Sequence, residues 1–293
     1  MNNLILIHNY KDFLPYRHSF NQLARETFGI DFEQWYLDGH WNDRYICYSY
    51  LNDDQVVANV SVSKLTLILE GQRRNALQIG TVMTHPAYQR KGLSKALMQI
   101  VLDAYETKYD LIYLFANLEA AEFYPRFGFK TLSETQFALT VNIRKAHSKS
   151  LRKMNPRNSS DRGSIDRLIK ARQPLSFVCG VEQAEHILAF YSYNILHDAW
   201  YYYEEEDVIV MCRQDHETLH LYDIIATHPV DFDTLACHLA QEEDIRKIMF
   251  YFTPDLLNIE SDVAETWSED YLFIKPVTFT MASSFKYPIT AQA

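Results

Sequence analysis

Residues 77–94 read LQIGTVMTHPAYQRKGLS. Leu77 to Met83 has the look of an apolar strand, closed by the turn Thr84-His85-Pro86. The cluster Gln89-Arg90-Lys91-Gly92-Leu93-Ser94 follows, and a helix is expected from there to about Tyr105. A strand that feeds a basic, glycine-bearing turn at a helix start is suited to hold phosphate. The first N–H groups of a helix have no intrahelical partner, point outward and carry partial positive charge. Gly92 lets a ligand approach the backbone closely, and Arg90 and Lys91 add charge at the entrance. The expected ligand is a cofactor containing a pyrophosphate.

The bulk properties frame that expectation. With 293 residues, 47% of them apolar, the chain has enough material for two domains with a substantial core. A formal charge of −10 argues against nucleic acid or an anionic membrane as the main partner. It is compatible with a cationic substrate. Cys47, Cys179, Cys212 and Cys237 are dispersed with no CxxC spacing, so they read as reduced packing residues and no metal site is expected. The start, MNNLILIHNYKDF, has no basic leader, and no apolar run is long enough to span a membrane. A soluble, cytoplasmic protein is the expectation.

Along the chain, residues 3–9 read as a strand, 13–28 as a helix and 31–38 as a second short helix. Trp35, Tyr36, Asp38, His40, Trp41 and Asp43 cluster there, either as core or as a substrate-lining surface of aromatics and carboxylates. Three antiparallel strands at 44–51, 55–69 and 76–84 lead into the basic turn. Residues 111–116, LIYLFA, read as a buried strand, 119–123 as a brief helix and 129–141 as further strand. Residues 142–163 are basic and polar, which marks a solvated linker between a domain at 1–141 and one at 164–293. Beyond it, 181–198 and 232–240 read as helices, and 200–203 and 208–212 as strands.

The second half echoes the first. LHLYDIIATHP, residues 219–229, parallels LQIGTVMTHP, and IMFYFT at 248–253 answers to LIYLFA. Aligning the two Thr-His-Pro turns sets Gln89-Arg90-Lys91-Gly92 against Phe232-Asp233-Thr234-Leu235. The glycine and the basic pair are gone, and Asp231 and Asp233 would repel phosphate. The second copy is expected to keep the fold without the cofactor site.

At this point the residues carry a resemblance. Gln89 to Ser94, with Pro86 three residues earlier, resembles the Q/R-x-x-G-x-G/A signature of the GNAT N-acyltransferase superfamily, although Ser94 stands where Gly or Ala is usual. The run Asn117 to Phe129 resembles the family's second signature, an Asn after a strand and then a short helix ending in F-Y-x-x-x-G-F. The resemblance is specific over 77–130, extends over 1–141 and is faint in the second half. It implies an α/β (α+β) fold, a mixed, mainly antiparallel sheet flanked by helices, with a second GNAT-like domain. An active half followed by a degenerate one is also similar to enhanced-intracellular-survival-type acetyltransferases. Those carry a third domain and place the terminal carboxylate in the active site. With the sequence closing at Ala293, no such role is expected for the C-terminus, and that group's aminoglycoside substrates are not carried over.

The resemblance further implies acetyl-CoA, or another acyl-CoA, as donor. Main-chain groups of Val82, Met83 and Thr84 would hold the pantetheine arm and acyl carbonyl, and amides of Arg90, Lys91, Gly92, Leu93, Ser94 and Lys95 the pyrophosphate. Asn117 would sit beside the arm, and Tyr124 would be the general acid that protonates the leaving thiolate. The general base stays open among Asp31, Glu33, Asp38, His40 and His85. The expected acceptor is a primary amine, small or protein-borne. A non-catalytic acyl-CoA-binding or sensing module is the rival reading. The second-half aromatics Tyr191, Tyr193 and Trp200 to Tyr203 are compatible with either a buried core or homo-oligomerisation.

Overall fold

The computed structural model describes residues 4–117, 122–145, 151–240, 243–264 and 270–293. The expected brief helix at 119–123 falls mostly outside them.

Four strands open the first sheet: β1 (Ile5–His8), β2 (Tyr45–Asn52), β3 (Gln55–Leu69) and β4 (Gln72–Thr84) pair antiparallel in that order. Between β1 and β2 lie α1 (Leu14–Phe28), which has proline in its first turn and ends on Gly29 at φ 70°, and α2 (Glu33–Leu37). After β4, α3 (Leu93–Tyr105) crosses over to β5 (Leu111–Asn117), which pairs parallel to β4. Leu97, Met98, Val101 and Leu102 of α3 are buried against Val60, Val62, Leu77, Ile79, Ile112 and Leu114. That apolar stripe at helical spacing is what seats α3, and it fixes where its N-terminus points.

The rest of the chain carries β6 (Lys130–Leu132), β7 (Gln136–Ile143), β8 (Leu151–Lys153), α4 (Ser159–Ala171), β9 (Cys179–Glu182), α5 (Glu185–Asn194), β10 (Trp200–Tyr203), β11 (Val208–Asp215), β12 (Thr218–Ile225), α6 (Phe232–Ala236), β13 (Ile245–Phe250), β14 (Asp262–Ala264) and β15 (Asp270–Lys275). The first sheet runs β1-β2-β3-β4-β5-β15-β6, with β9 also on β3. The second runs β14-β7-β13-β12-β11-β10-β8. Read from β8, its order and directions reproduce the first, including one parallel pair, β12 with β13, at the position of β4 with β5.

The copies exchange a strand. β7, early in the chain, sits between β13 and β14, while β15, near the end, sits between β5 and β6. The stretch 129–141, expected as one strand, therefore divides between sheets. Glu134 fixes the division, because its nearly buried carboxylate takes Lys286 Nζ at 3.2 Å and the Tyr287 N–H at 2.9 Å. The polar segment 142–163 is also not simply solvated: Leu151 is buried on the edge strand β8, and Asn158 caps α4. The helix expected from 181 begins at Glu185, since 179–182 pair with the overhang of β3 and Gln183 adopts φ 64°. One core cluster joins Leu65, Leu67 and Tyr113 of the first sheet to Ile165, Leu188, Trp200, Met211 and Tyr287, so the halves share an interior.

Candidate active site

The last parallel pair between β4 and β5 is Ile79 with Leu114. Past it the strands part, and backbone groups of Gly80 to Thr84 lose their partner on that side. A register slip between Asn59 and Ser61 on β3 coincides with φ 48° at Thr81, a bulge in β4. Buried polar side chains hold it. Asn59 Nδ2 donates to the Thr81 carbonyl at 2.8 Å and to Ser61 Oγ at 2.8 Å, while its Oδ1 accepts from Ser49. The Tyr45 hydroxyl meets Thr81 Oγ1 at 2.8 Å. Sequence reasoning missed Asn59, Tyr45 and Thr81. An Asn and serines within an otherwise β-branched strand were the available signal.

Val82 lines the cavity at the parting of the strands; the Met83 side chain is buried on the aromatic α1–α2 side. Thr84 Oγ1 lies 2.7 Å from Ser94 Oγ, tying the strand end to the first turn of α3. Between them Arg90 has φ 60° and Gly92 φ 80°, both left-handed. A side chain added at Gly92 would meet nothing within 4 Å, so the turn opens on free space. Gly92 offers α3 no side-chain cap, which leaves the N–H groups at Leu93, Ser94 and Lys95 directed outward. Arg90, Lys91 and Lys95 are exposed around them, with Lys91 Nζ 4.6 Å from the centre of the Tyr88 ring. This cradle fits a diphosphate. His85 is turned to local structure, its Nδ1 accepting from the Ala87 N–H at 3.2 Å.

Asn117 ends β5, opposite Asp270 of β15. Tyr124 starts a 3-10 turn, Tyr124–Phe127, that ends on Gly128 at φ 81°. It is 5% exposed and packs on Phe123, Phe129 and Phe273. Among the described residues its hydroxyl has no hydrogen-bond partner, and burial pushes the phenol up to about 12.

Tyr124, Asn117, Val82, Thr81 and Gly80 line one cavity of about 540 Å³, whose far walls are Phe28, Ile30, Phe32, Trp35 and Tyr45 with Ile187, Phe190 and Tyr191 of α5. Of the early aromatic cluster at 35–43, Trp35 lines this cavity and belongs to the core as well. The acidic neighbours do not reach the cavity. Glu33 takes both arms of Arg17 at 3.0 Å, which holds its carboxyl below the usual range. Asp31 pairs with Arg25, and Asp38 with Arg162 at 2.7 Å. His40 lies outside the cavity wall, and burial pushes its imidazole down. Asp270 is the one acidic side chain lining the cavity among the described residues.

The C-terminal segment, for which no catalytic role is expected, reaches the cavity. Gln292 and Ala293 line the cavity. Gln78 clamps the segment, accepting from the Ala293 N–H at 2.6 Å and donating to the Ala291 carbonyl at 2.9 Å. A Cβ on Gly80 would lie 3.0 Å from the Ala293 main-chain carbon and oxygen, so glycine is needed there for close approach.

In the second sheet the parallel pairing of β12 with β13 ends at Leu221 and Phe250, and the chain itself fills the gap beyond. Tyr251 accepts from the Ile289 N–H at 3.0 Å, Thr253 exchanges hydrogen bonds with Lys286, and Thr290 Oγ1 donates to Asp223 at 2.5 Å. Where α3 starts uncapped, α6 is capped by the Asp231 carboxylate, which takes the N–H groups of Asp233 and Thr234.

Residues 16–132 match the family model of the acetyltransferase (GNAT) domain. No curated protein sequence matches the chain. Among solved structures, a GCN5-related N-acetyltransferase from Kribbella flavida is similar over 93% of this chain and 71% of its own, with TM-score 0.55 and 16% identity. Eis1 from Mycobacterium abscessus is similar over 92% and 72%, at 0.54 and 13%. A protein from Pyrococcus horikoshii is similar over 100% and 97%, at 0.52 and 13%. At these identities the likeness is one of fold, and it extends across both sheets. The family match together with the fold supports an acyltransferase. No helix among the described residues is long and apolar enough to cross a membrane.

Proposed function

We propose that the protein is an acetyl-CoA-dependent N-acetyltransferase whose acceptor is a primary amine. The observation that carries this reading is that one cavity is lined both by the parted ends of β4 and β5 and by Tyr124. The amides of Leu93, Ser94 and Lys95, with the cations of Arg90 and Lys91, would hold the diphosphate. Freed main-chain groups of Val82, Met83 and Thr84 would hold the pantetheine arm, with Asn117 beside it. When bound, the acyl-CoA supplies an activated carbonyl carbon: its C–S bond breaks as a C–N bond forms, the nitrogen loses a proton and the thiolate gains one.

The chain's own groups manage those protons. Tyr124 keeps its proton throughout the neutral range, since burial raises its phenol, and Oη can give that proton to a departing thiolate. We assign removal of the amine proton to Asp270, the acidic side chain in the cavity wall, directly or through water. The apolar walls exclude bulk water from the reacting groups. The test is calorimetric titration with CoA and a thiol-release assay with acetyl-CoA across a panel of primary amines. Saturable CoA binding with amine-dependent thiol release is expected. CoA binding without release for any amine would favour a sensing module, and no CoA binding would remove the reading altogether.

A further inference from the structure

Thr81, in the bulge of β4, is not glycine, yet it sits at φ 48°. That left-handed conformation costs an L residue energy, and it persists only where the surroundings impose it. Here the surroundings are buried and polar. The Thr81 carbonyl accepts from Asn59 Nδ2 at 2.8 Å, and its hydroxyl meets that of Tyr45 at 2.8 Å. Asn59 Nδ2 also donates to Ser61 Oγ at 2.8 Å, while Asn59 Oδ1 accepts from Ser49 Oγ at 2.8 Å. Ser49 has then spent its one proton, so the Tyr10 hydroxyl, 2.6 Å away, must donate to it. Asn59 and Ser49 are fully buried and Tyr10 nearly so. The relay Tyr10–Ser49–Asn59 leaves the amide a single orientation, with its NH2 toward Thr81.

The peptide that Asn59 holds joins two residues of the cavity wall, Thr81 and Val82. In a planar trans peptide the N–H points opposite to the C=O. With the Thr81 carbonyl taken by a side chain of β3, the Val82 N–H is turned away from β3, on the side of β4 where the ladder to β5 has already ended at Ile79 and Leu114. Asn59 itself lies outside the cavity wall, so it can act only through this backbone. We infer that Asn59 is a positioning residue: oriented by Ser49 and Tyr10, it sets the Thr81–Val82 peptide so that the Val82 N–H is a fixed donor for the acyl carbonyl. A donor held in place beforehand needs no reorganisation when charge grows on a carbonyl oxygen, and that is how a residue remote from substrate bears on rate. The inference rests on the acyl-transfer reading for the identity of that carbonyl, and on the hydrogen bonds alone for the orientation of the peptide.

The test compares the full chain with Asn59→Ala, the milder Tyr10→Phe and the double variant Asn59→Ala/Thr81→Gly, each checked for folding by thermal unfolding. Calorimetry with CoA should give affinities close to the parent's, because the basic turn is untouched. In Asn59→Ala the infrared carbonyl band of bound, carbonyl-labelled acetyl-CoA should move back toward its frequency in solution. Its kcat should fall roughly tenfold to a hundredfold, less than the cost of deleting such a donor outright. Tyr10→Phe should do the same to a smaller degree. Glycine takes positive φ unaided, so the double variant should regain part of both losses. A folded Asn59→Ala that keeps the parent's carbonyl band, or losses that glycine at 81 does not restore at all, would overturn the assignment. If Asn59→Ala does not fold, the same two readouts on Tyr10→Phe decide it. A parent that binds no acetyl-CoA would instead remove the acyl-transfer reading. The Val82 amide resonance of the free protein, which Asn59→Ala or Tyr10→Phe should displace, then still decides whether Asn59 orients the peptide.

Discussion

The indole N–H of Trp35 donates to the backbone carbonyl of His186 at 2.7 Å, across 151 positions of sequence. One bond thus joins α2 of the first half to α5 of the second, at the wall of the cavity that contains Tyr124. Trp35→Phe keeps a ring but removes the donor. We expect a loss of about 1–2 kcal/mol in stability, read by urea unfolding, from the abandoned carbonyl and the smaller ring. The acceptor KM should rise while CoA affinity stays as it is, since the start of α3 is not touched.

Gly92→Glu should abolish CoA binding. The position needs φ 80°, which strains any L side chain, and the new carboxylate would repel the diphosphate we propose the turn holds. Calorimetry should show at least a hundredfold loss, about 2.7 kcal/mol or more. Unchanged affinity would dismiss the phosphate assignment.

Tyr124→Phe separates binding from chemistry. CoA affinity should persist, while kcat falls by about 10²–10⁴, the range for removing a positioned general acid. Because burial holds the parent phenol at about 12, its kcat should show no alkaline decline from Tyr124 below about pH 10. Full turnover by the variant against a confirmed acceptor would take Tyr124 out of the mechanism.

His186 should make the protein acid-sensitive. Burial pushes its imidazole from the ordinary 6.5 down to about 3. The folded state therefore refuses a proton that the unfolded chain accepts. This contribution to stability is complete above pH 6.5 and is lost as pH falls from there towards about 3. Urea midpoints between pH 7.5 and 4.5 should fall less steeply for His186→Leu than for the parent, by up to about 1.4 kcal/mol per pH unit. Parallel slopes would refute it.

The C-terminal segment should loosen when Thr290 loses its hydroxyl. Asp223 is fully buried, bound by Arg172 at 2.6 and 3.0 Å and by Thr290 at 2.5 Å. Thr290→Val removes one bond to that carboxylate, worth about 1.5–3 kcal/mol. Amide hydrogen exchange at Ala291 and Ala293 should quicken, and kcat/KM should drop as Gln292 and Ala293 leave the cavity wall. Exchange no faster than in the parent would show that Asp223 does not position the segment.

Residues 77–94 settled a great deal unaided, and the reasons are local. Apolar alternation, a turn that needs left-handed residues and a helix start without a cap all depend on neighbours a few positions away. The Thr-His-Pro echo at 219–229 likewise announced a repeat, which the matching strand orders bear out. What the sequence could not assign is partnership at long range. Alternation at 136–143 and 270–275 looks the same whichever sheet receives each strand, so their exchange was invisible until the ladders were seen. The acidic residues at 31–38 looked available for catalysis because the arginines that consume them, Arg17, Arg25 and Arg162, lie up to 124 positions away. For the same reason the sequence marked the basic turn at the start of α3 but not the cavity's far wall. His186 and the segment ending at Ala293 reach the cavity only because two sheets share one core, and packing of that kind is decided by tertiary contacts rather than by periodicity.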